Sequence, residues 1–286
     1  MLNQKNLSIV IPSLGGSKLE STLKYMYKMK IRPLEIILCI PKSYKKNIKI
    51  PKKVRPKIIL TKVKGQVYQR IAGFKKARGK YVLQLDDDIK IDNYCLNKLL
   101  NTIEKFKKIS ISPLLIDKKR KYSLFDIQPK NFFFKIYHFL LNGINGYEPG
   151  SVSKAGIPYM FKNKGKIKEV EWLPGGCVLH RKKNLIKKNY FKFKSDKAFC
   201  EDLFHSFHLR NKKIKLLIDS SSKCSFNSFK GFKSLTYKSS INNLFQDFKI
   251  RFSFIRLTKK SVYRMMFFYF ILFLRLNFIF IKKLKI

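Results

Sequence analysis

The sequence predicts an α/β fold: a mostly parallel sheet flanked by helices, followed by a basic, aromatic helical tail. Three observations carry that expectation. Short β-branched apolar runs alternate with stretches of helical period across the first hundred residues. Proline and glycine punctuate the ends of those runs. An acidic run, Asp86-Asp87-Asp88, follows directly on one of them. Strand–helix alternation implies right-handed crossovers between parallel strands, and such sheets bind ligands beyond the carboxyl ends of their strands.

The elements follow in order. Leu7 to Ile11 is a buried strand stopped by Pro12 and by the turn at Gly15-Gly16. Leu19 to Met29 reads as a helix, with Leu19, Leu23, Met26 and Tyr27 at helical spacing. Glu35 to Ile40, ended by Pro41, and Lys57 to Thr61 are the next two strands. Gln66 to Arg78 is a helix with Val67, Ile71 and Phe74 on one face and Gly79 expected as its C-cap. Tyr81 to Leu85 is a fourth strand. Asp92 then caps a helix carrying Leu96, Leu99, Leu100 and Ile103. From Asp117 to Lys168 the pattern predicts a helix and then a long irregular loop. Glu169 to Arg181 is strand-like around Pro174-Gly175-Gly176, Phe199 to Arg210 is helical, and Ile214 to Ile218 is a last short strand.

The composition shifts at about Lys233, which divides the chain into a domain over 1–232 and a tail over 233–286. The tail has few acids, many aromatics and an apolar run from Met265 to Leu274; Arg275 interrupts it before Leu276 to Ile281. A spanning helix needs roughly 20 apolar residues. A central Arg costs about 2.5 kcal/mol or more at mid-bilayer. A helix at the membrane interface, a buried packing helix and a true span are the three readings, with the first two less costly than the third.

Charge is the outlying feature of the composition. Against 17 Asp and Glu stand 63 Lys and Arg, a net charge of +46. Such a surface attracts polyanions of any kind, and AT-rich codons, which supply Lys, Ile, Asn and Phe, account for it equally well. Five scattered cysteines form no CxxC pair, which fits free thiols in a reducing compartment. No signal-peptide pattern precedes Pro12, so a cytoplasmic location is expected.

Chemistry concentrates at three places. Three adjacent carboxylates repel one another unless a cation lies among them. Lys and Arg are plentiful, but Mg²⁺ or Mn²⁺ suits better, because it takes one or two carboxylates and leaves positions open for phosphate oxygens. In strand geometry Asp86 and Asp88 share a side and Asp87 takes the other. Glu201-Asp202 lies where a helix begins, whose dipole keeps a carboxylate ionised, as a general base requires. Trp172-Leu173-Pro174-Gly175-Gly176 joins an indole, a face for a sugar ring or a buried aromatic, to two glycines that let backbone approach a ligand. His180, His205 and His208 have no metal-ligand spacing.

The segments LSIVIPS (Leu7–Ser13), QRIAGFKKARGKYVLQLDDDI (Gln69–Ile89), WLPGG (Trp172–Gly176) and EDLFHSFHLR (Glu201–Arg210), in this order over about Leu7 to Ile218, resemble the family 2 glycosyltransferases of GT-A fold. The resemblance implies a Rossmann-like GT-A domain and roles by position. Pro12, Ser13, Arg70, Asp86 and Asp87 would bind the donor. Asp88 and Asp86, in a DXD-like motif, would hold Mg²⁺ or Mn²⁺. Gly175 and Gly176 would border the donor sugar and acceptor, Glu201 would help hold the acceptor, and Asp202 would be the base; Trp172, from its indole face and not from the resemblance, is the further acceptor candidate. The chain departs from the family pattern at Cys39-Ile40-Pro41, where acidic residues usually read the donor base, and at Ile71, where Asn often stands.

The function expected is inverting, metal-dependent transfer of a sugar from a nucleotide-diphosphate sugar to a hydroxyl acceptor. A lipid-linked or cell-surface glycan is the expected acceptor, at the inner face of a membrane touched by the tail, as in polysaccharide biosynthesis. Two rivals stand beside it. A nucleotidyltransferase would need neither Glu201-Asp202 nor Gly175-Gly176. A basic nucleic-acid-binding protein would explain the charge, although the basic residues are spread and form no recognised nucleic-acid motif.

Overall fold

In the computed structural model, residues 4–117, 131–160, 167–193, 199–226 and 236–284 are described. Two compact units emerge: Met1–Leu124 with Lys162–Asn227, and Phe125–Phe161 with Ser228–Ile286. The expected boundary at 232/233 lies outside the described residues. Residues 125–161, expected within the first domain, belong to the second unit instead.

The first unit is built on one sheet. Its strands are β1 (Leu7–Pro12), β2 (Glu35–Pro41), β3 (Lys57–Thr61), β4 (Tyr81–Leu85), β5 (Ile109–Asp117), β6 (Ile167–Val170), β7 (Cys177–Arg181) and β8 (Lys215–Phe226). They lie in the order β3-β2-β1-β4-β7-β5-β8-β6. The run from β3 to β4 is parallel, β7 is antiparallel to both its neighbours, β5 and β8 are parallel, and β6 closes the edge antiparallel to β8. The sheet is thus mixed, with the parallel half where strands and helices alternate in sequence.

Period-2 alternation sorts the side chains of β1. Leu7, Ile9 and Ile11 join one core with Leu19, Leu23 and Met26 of α1 (Ser17–Lys28) and with Leu96, Leu99 and Ile103 of α3 (Asn93–Lys105). Val10 faces the other side, with Ile37, Val82 and Phe74 of α2 (Gln66–Lys76). Burial on both faces explains why β1 reads as an uninterrupted apolar run.

Several expectations need correction. Gly79 is not the cap of α2, which ends at Lys76 with Ala77 in extended geometry. Gly79 instead passes against β1: a Cβ there would lie 2.6 Å from both Asn6 O and Ser8 N, and its N–H donates to Ser8 Oγ at 2.8 Å. The strand-like stretch 169–181 divides into the end of β6, a turn and β7. Strand β5 was not anticipated, because Pro113 sits in its middle. The proline is accommodated at a bulge, where the pairing jumps from Pro113–Asp219 to Leu114–Lys223. That pairing also extends β8 to Phe226, well past the predicted end at Ile218.

Among the described residues, the second unit holds three α-helices, α4 (Phe132–Asn142), α6 (Tyr237–Thr258) and α7 (Val262–Leu284); α5 (Glu201–Asn211) belongs to the first. Within the second unit Ile255, Met265 and Tyr269 form a small core between α6 and α7. Arg275 does not break the helix: α7 runs through it. Within the stretch from Asp117 to Lys168, expected as a helix and then a long irregular loop, residues 118–130 and 161–166 lie outside the described residues.

Candidate active site

The acidic run sits one residue past β4, in a turn closed by the Ile89 N–H donating to Asp86 O at 3.2 Å. The alternation expected of strand geometry therefore does not set the directions of the three carboxylates. Their partners set them instead. Asp86 Oδ1 accepts from Arg70 Nη2 at 2.7 Å and from Gln66 Nε2 at 2.9 Å, both on α2. Asp87 Oδ2 accepts from the Ser13 hydroxyl at the end of β1, and its carbonyl accepts from Thr22 Oγ1 on α1 at 2.8 Å. Asp88 pairs with Lys18 Nζ at 3.3 Å.

Burial pushes the Asp87 carboxyl up to about 6; the Ser13 bond opposes this, and the charges of Asp88 and Asp86 add to it. Asp88 is also raised, by burial first and then by Asp86. Asp88 thus carries the repulsion of the Asp86 charge, which a cation between them relieves.

Arg70 joins this run to the far part of the chain. It is 1% exposed. Nη1 donates to Glu201 Oε1 at the start of α5, while Nη2 serves both Asp86 and the Gly175 carbonyl, the latter at 3.2 Å. Burial alone disfavours its charge, but Glu201 and Asp86 more than compensate, holding the guanidinium above its ordinary range. Glu201 Oε2 also accepts from the Tyr190 hydroxyl at 3.2 Å. Tyr190 stacks on His205, and His205 lies against His180, whose Nδ1 meets Ser110 Oγ at 2.8 Å.

The turn before β7 is pinned to β4. Asp86 N donates to Gly176 O at 2.8 Å, and Gln84 Nε2 donates to Gly175 O. The glycines here answer to space. A Cβ on Gly175 would lie 2.5 Å from Glu201 Oε1, 3.4 Å from Arg70 Nη1 and 3.5 Å from Asp202 Cβ; one on Gly176 would lie 3.6 Å from Asp86 Oδ2. Asp86, Arg70, Gly175, Gly176, Glu201 and Asp202 therefore occupy one locus, at the carboxyl end of β4 and the N-terminus of α5.

Other expected site residues take supporting positions. Pro12 is buried as the last residue of β1, and Ser13, 4% exposed, orients Asp87. Trp172, expected to offer its face to an acceptor sugar, is 2% exposed. Protein covers the indole, and the adjoining Leu173 N–H is anchored on Ser206 Oγ of α5 at 2.9 Å. Lys18, Gln66, Gln84 and Tyr190 were not foreseen. Gln84 lies inside the Gln69–Ile89 segment but had no role assigned there, the other three lie outside the motif segments, and only Lys18 had a generic signal, the need for a cation near the acidic run.

Among the described residues, no group of three or more His, Cys, Asp or Glu is placed to hold a metal. A divalent ion here would take Asp86 and Asp88 and complete its shell with phosphate oxygens and water, a donor set that suits Mg²⁺ or Mn²⁺. The mutual charge of the two carboxylates fits that role. One open groove of about 640 Å³ lies along α5, lined by Lys182, Lys187, Lys188, Tyr190, His208 and Lys212 among others; it contains none of the acidic site residues.

Residues 8–157 match the model for glycosyl transferase family 2. No curated protein sequence matches the chain. Among solved structures, the crystal structure of GalNAc-T7 with UDP, GalNAc and Mn²⁺ superposes with a TM-score of 0.54 at 16% identity, over 81% of this chain and 45% of that one. The chain thus corresponds to less than half the length of that protein, and the likeness is one of fold.

Proposed function

The chain belongs to glycosyl transferase family 2, and we propose that it moves a glycosyl group from a nucleotide-diphosphate sugar to a hydroxyl acceptor, with inversion, using a divalent ion at Asp86 and Asp88. One observation carries the reading. Asp202 and the acidic turn, far apart in sequence, are brought to either side of Gly175-Gly176, and Arg70 ties Asp86 of that turn to Glu201, the neighbour of Asp202. The UDP and Mn²⁺ bound by the GalNAc-T7 structure, which shares the fold, support the choice of donor and ion.

Each residue then has a task. Asp202, in the first turn of α5, takes the proton of the acceptor hydroxyl as its oxygen attacks the anomeric carbon from the face opposite the diphosphate. When bound, the ion offsets the charge that develops on the departing diphosphate. Arg70 fixes Asp86 and Glu201 together. Glu201, buried against Arg70 and Tyr190, sets the start of α5 and so the place of Asp202; this replaces acceptor contact as its task. Ser13 and Thr22 hold the Asp87 corner of the turn, and Gly175-Gly176 leave open the space that a side chain would fill.

The acceptor in this reading is a lipid-linked or cell-surface glycan, met at the cytoplasmic face of a membrane that the C-terminal helices touch. All five cysteines are free thiols, which supports a reducing compartment. The test is transfer by the Asp202→Asn variant with a nucleotide-sugar donor. Turnover is expected to fall about 10²–10⁴-fold while donor binding survives. Chelation should abolish wild-type turnover, and Mn²⁺ or Mg²⁺ should restore it. Near wild-type transfer by the variant would remove Asp202 as the base. Release of pyrophosphate instead of nucleoside diphosphate would indicate nucleotidyl transfer.

A further inference from the structure

We propose that α4 and α7 together form one apolar platform that lies along a single leaflet of an anionic bilayer without crossing it. This deepens the membrane contact proposed above and rests on it, but it does not depend on the reaction catalysed.

Each helix presents a one-sided apolar stripe. On α7 the exposed residues are Tyr263, Met266, Phe270, Phe273, Leu274, Phe278 and Ile281, a run of three- and four-residue steps that keeps to one face. Only 17% of the apolar window Val262–Ile281 is buried. On α4 the exposed Phe132, Phe133, Ile136, Phe139 and Leu140 share one side, while His138, Leu141 and Asn142 are buried on the other; Phe134, in the first turn, is exposed off that stripe. Ile144, just beyond α4, is 96% exposed. The two helices are joined directly: Arg264 Nη1, in the first turns of α7, donates to the carbonyls of Phe139 and Leu140 at the end of α4, at 2.9 and 2.5 Å.

Length and partners decide between lying on the membrane and spanning it. Helix α7 is long enough to span, but α6 is bound along it. Tyr237 reaches Asn277 at 2.8 Å and stacks edge-on with Phe280 near one end, Asp247 accepts from Tyr269 at 2.5 Å, and Ile255 meets Met265 in the shared core near the other. Helix α6 carries Lys238, Asn242, Asn243, Gln246, Asp247 and Lys249, which hydrocarbon excludes. A span would drag them in. Helix α4 has 11 residues, about 16 Å at 1.5 Å per residue, too short to cross the roughly 30 Å of hydrocarbon. Lying flat, both stripes enter the acyl boundary while α6 stays in water, and Arg275, exposed at the edge of its stripe, reaches the headgroups.

Charge selects the occupant. Lys135, Arg256 and Lys259 are exposed on the same unit, and the whole chain carries +46. Anionic headgroups complement that charge, whereas a second copy of the chain would repel it.

The test uses the full chain with vesicles of phosphatidylcholine alone and of equal parts phosphatidylcholine and phosphatidylglycerol. Binding is expected to the mixed vesicles, and Phe133→Asp and Phe270→Asp should each weaken it about tenfold or more with melting temperature unchanged. Tryptophan placed at each of these positions should be quenched best by lipids brominated high on the acyl chain. Unaltered binding by Phe133→Asp would leave α7 as a lone anchor and overturn the platform. Deep quenching at position 270 would mean a span and would overturn it too. Substitutions that dissociate a homodimer and leave vesicle binding intact would make this face a subunit contact. If neither substitution weakens vesicle binding, the membrane contact itself fails, whatever donor hydrolysis or transfer to a water-soluble acceptor shows.

Discussion

Arg70 stands nearly without solvent between Asp86 and Glu201, so each of the three charges depends on the other two. Removing one member of a buried ion pair costs about 3–5 kcal/mol, because the partner left behind keeps its charge and loses its compensation. Arg70→Met is therefore expected to lose that much in urea denaturation, and Arg70→Met with Glu201→Gln should recover part of it. A loss below about 1 kcal/mol in the single variant would show that water reaches Glu201. The carboxylates were legible in the sequence, since acids after an apolar strand and a lone acidic pair among lysines stand out locally; Arg70 was singled out only through the family resemblance. Tyr190 and Gln84 were not. Their contacts to Glu201 and to the Gly175 carbonyl arise only when β7 and α5 are folded against β4 and α2.

Between β7 and α5 lies a layer of neutral histidine. Burial lowers His180 to about 3, with Arg70 adding to the effect, and burial also holds His205 well below its usual range, helped by His180 and Arg70. Both folded values lie under the 6.5 expected of an unfolded histidine. As pH falls below 6.5 the unfolded chain takes up protons that the folded one refuses, so stability drops on acidification. The slope is at most about 1.4 kcal/mol per pH unit for each histidine. Denaturation midpoints at pH 7, 6 and 5 should decline together, and a flat profile above pH 5 would show that these rings accept protons in the fold. The parallel elements were readable because each carries its own apolar period. Strand β5 was not, since Pro113 imitates a strand end unless the bulge opposite it in β8 is known. Gly73 was passed over as well. Within a helix glycine is a weak residue, yet here a Cβ would meet Val10 Cγ1 at 2.4 Å, so its absence lets α2 settle onto β1.

At the scale of the whole molecule the charge acts as a field rather than as contacts. Single-stranded nucleic acid should bind loosely at low salt. Neutralising about five phosphates would make the affinity fall roughly 10²-fold between 50 and 200 mM salt, a slope readable by filter binding. Binding that ignored salt would instead require a dedicated nucleic-acid site. The fold class was legible from the first hundred residues, but the division into units was not, because the second unit borrows residues 125–161 from the middle of the chain. The antiparallel insertion of β7 between β4 and β5 has a further consequence for synthesis. On the ribosome, β1 to β4 can assemble as soon as they emerge, yet the free edge of β4 waits for β7, and Arg70 waits for a partner 131 positions downstream. The nascent chain thus carries an unprotected strand, and a guanidinium paired with Asp86 but still lacking Glu201, until late in translation, and chaperones have that interval in which to engage it.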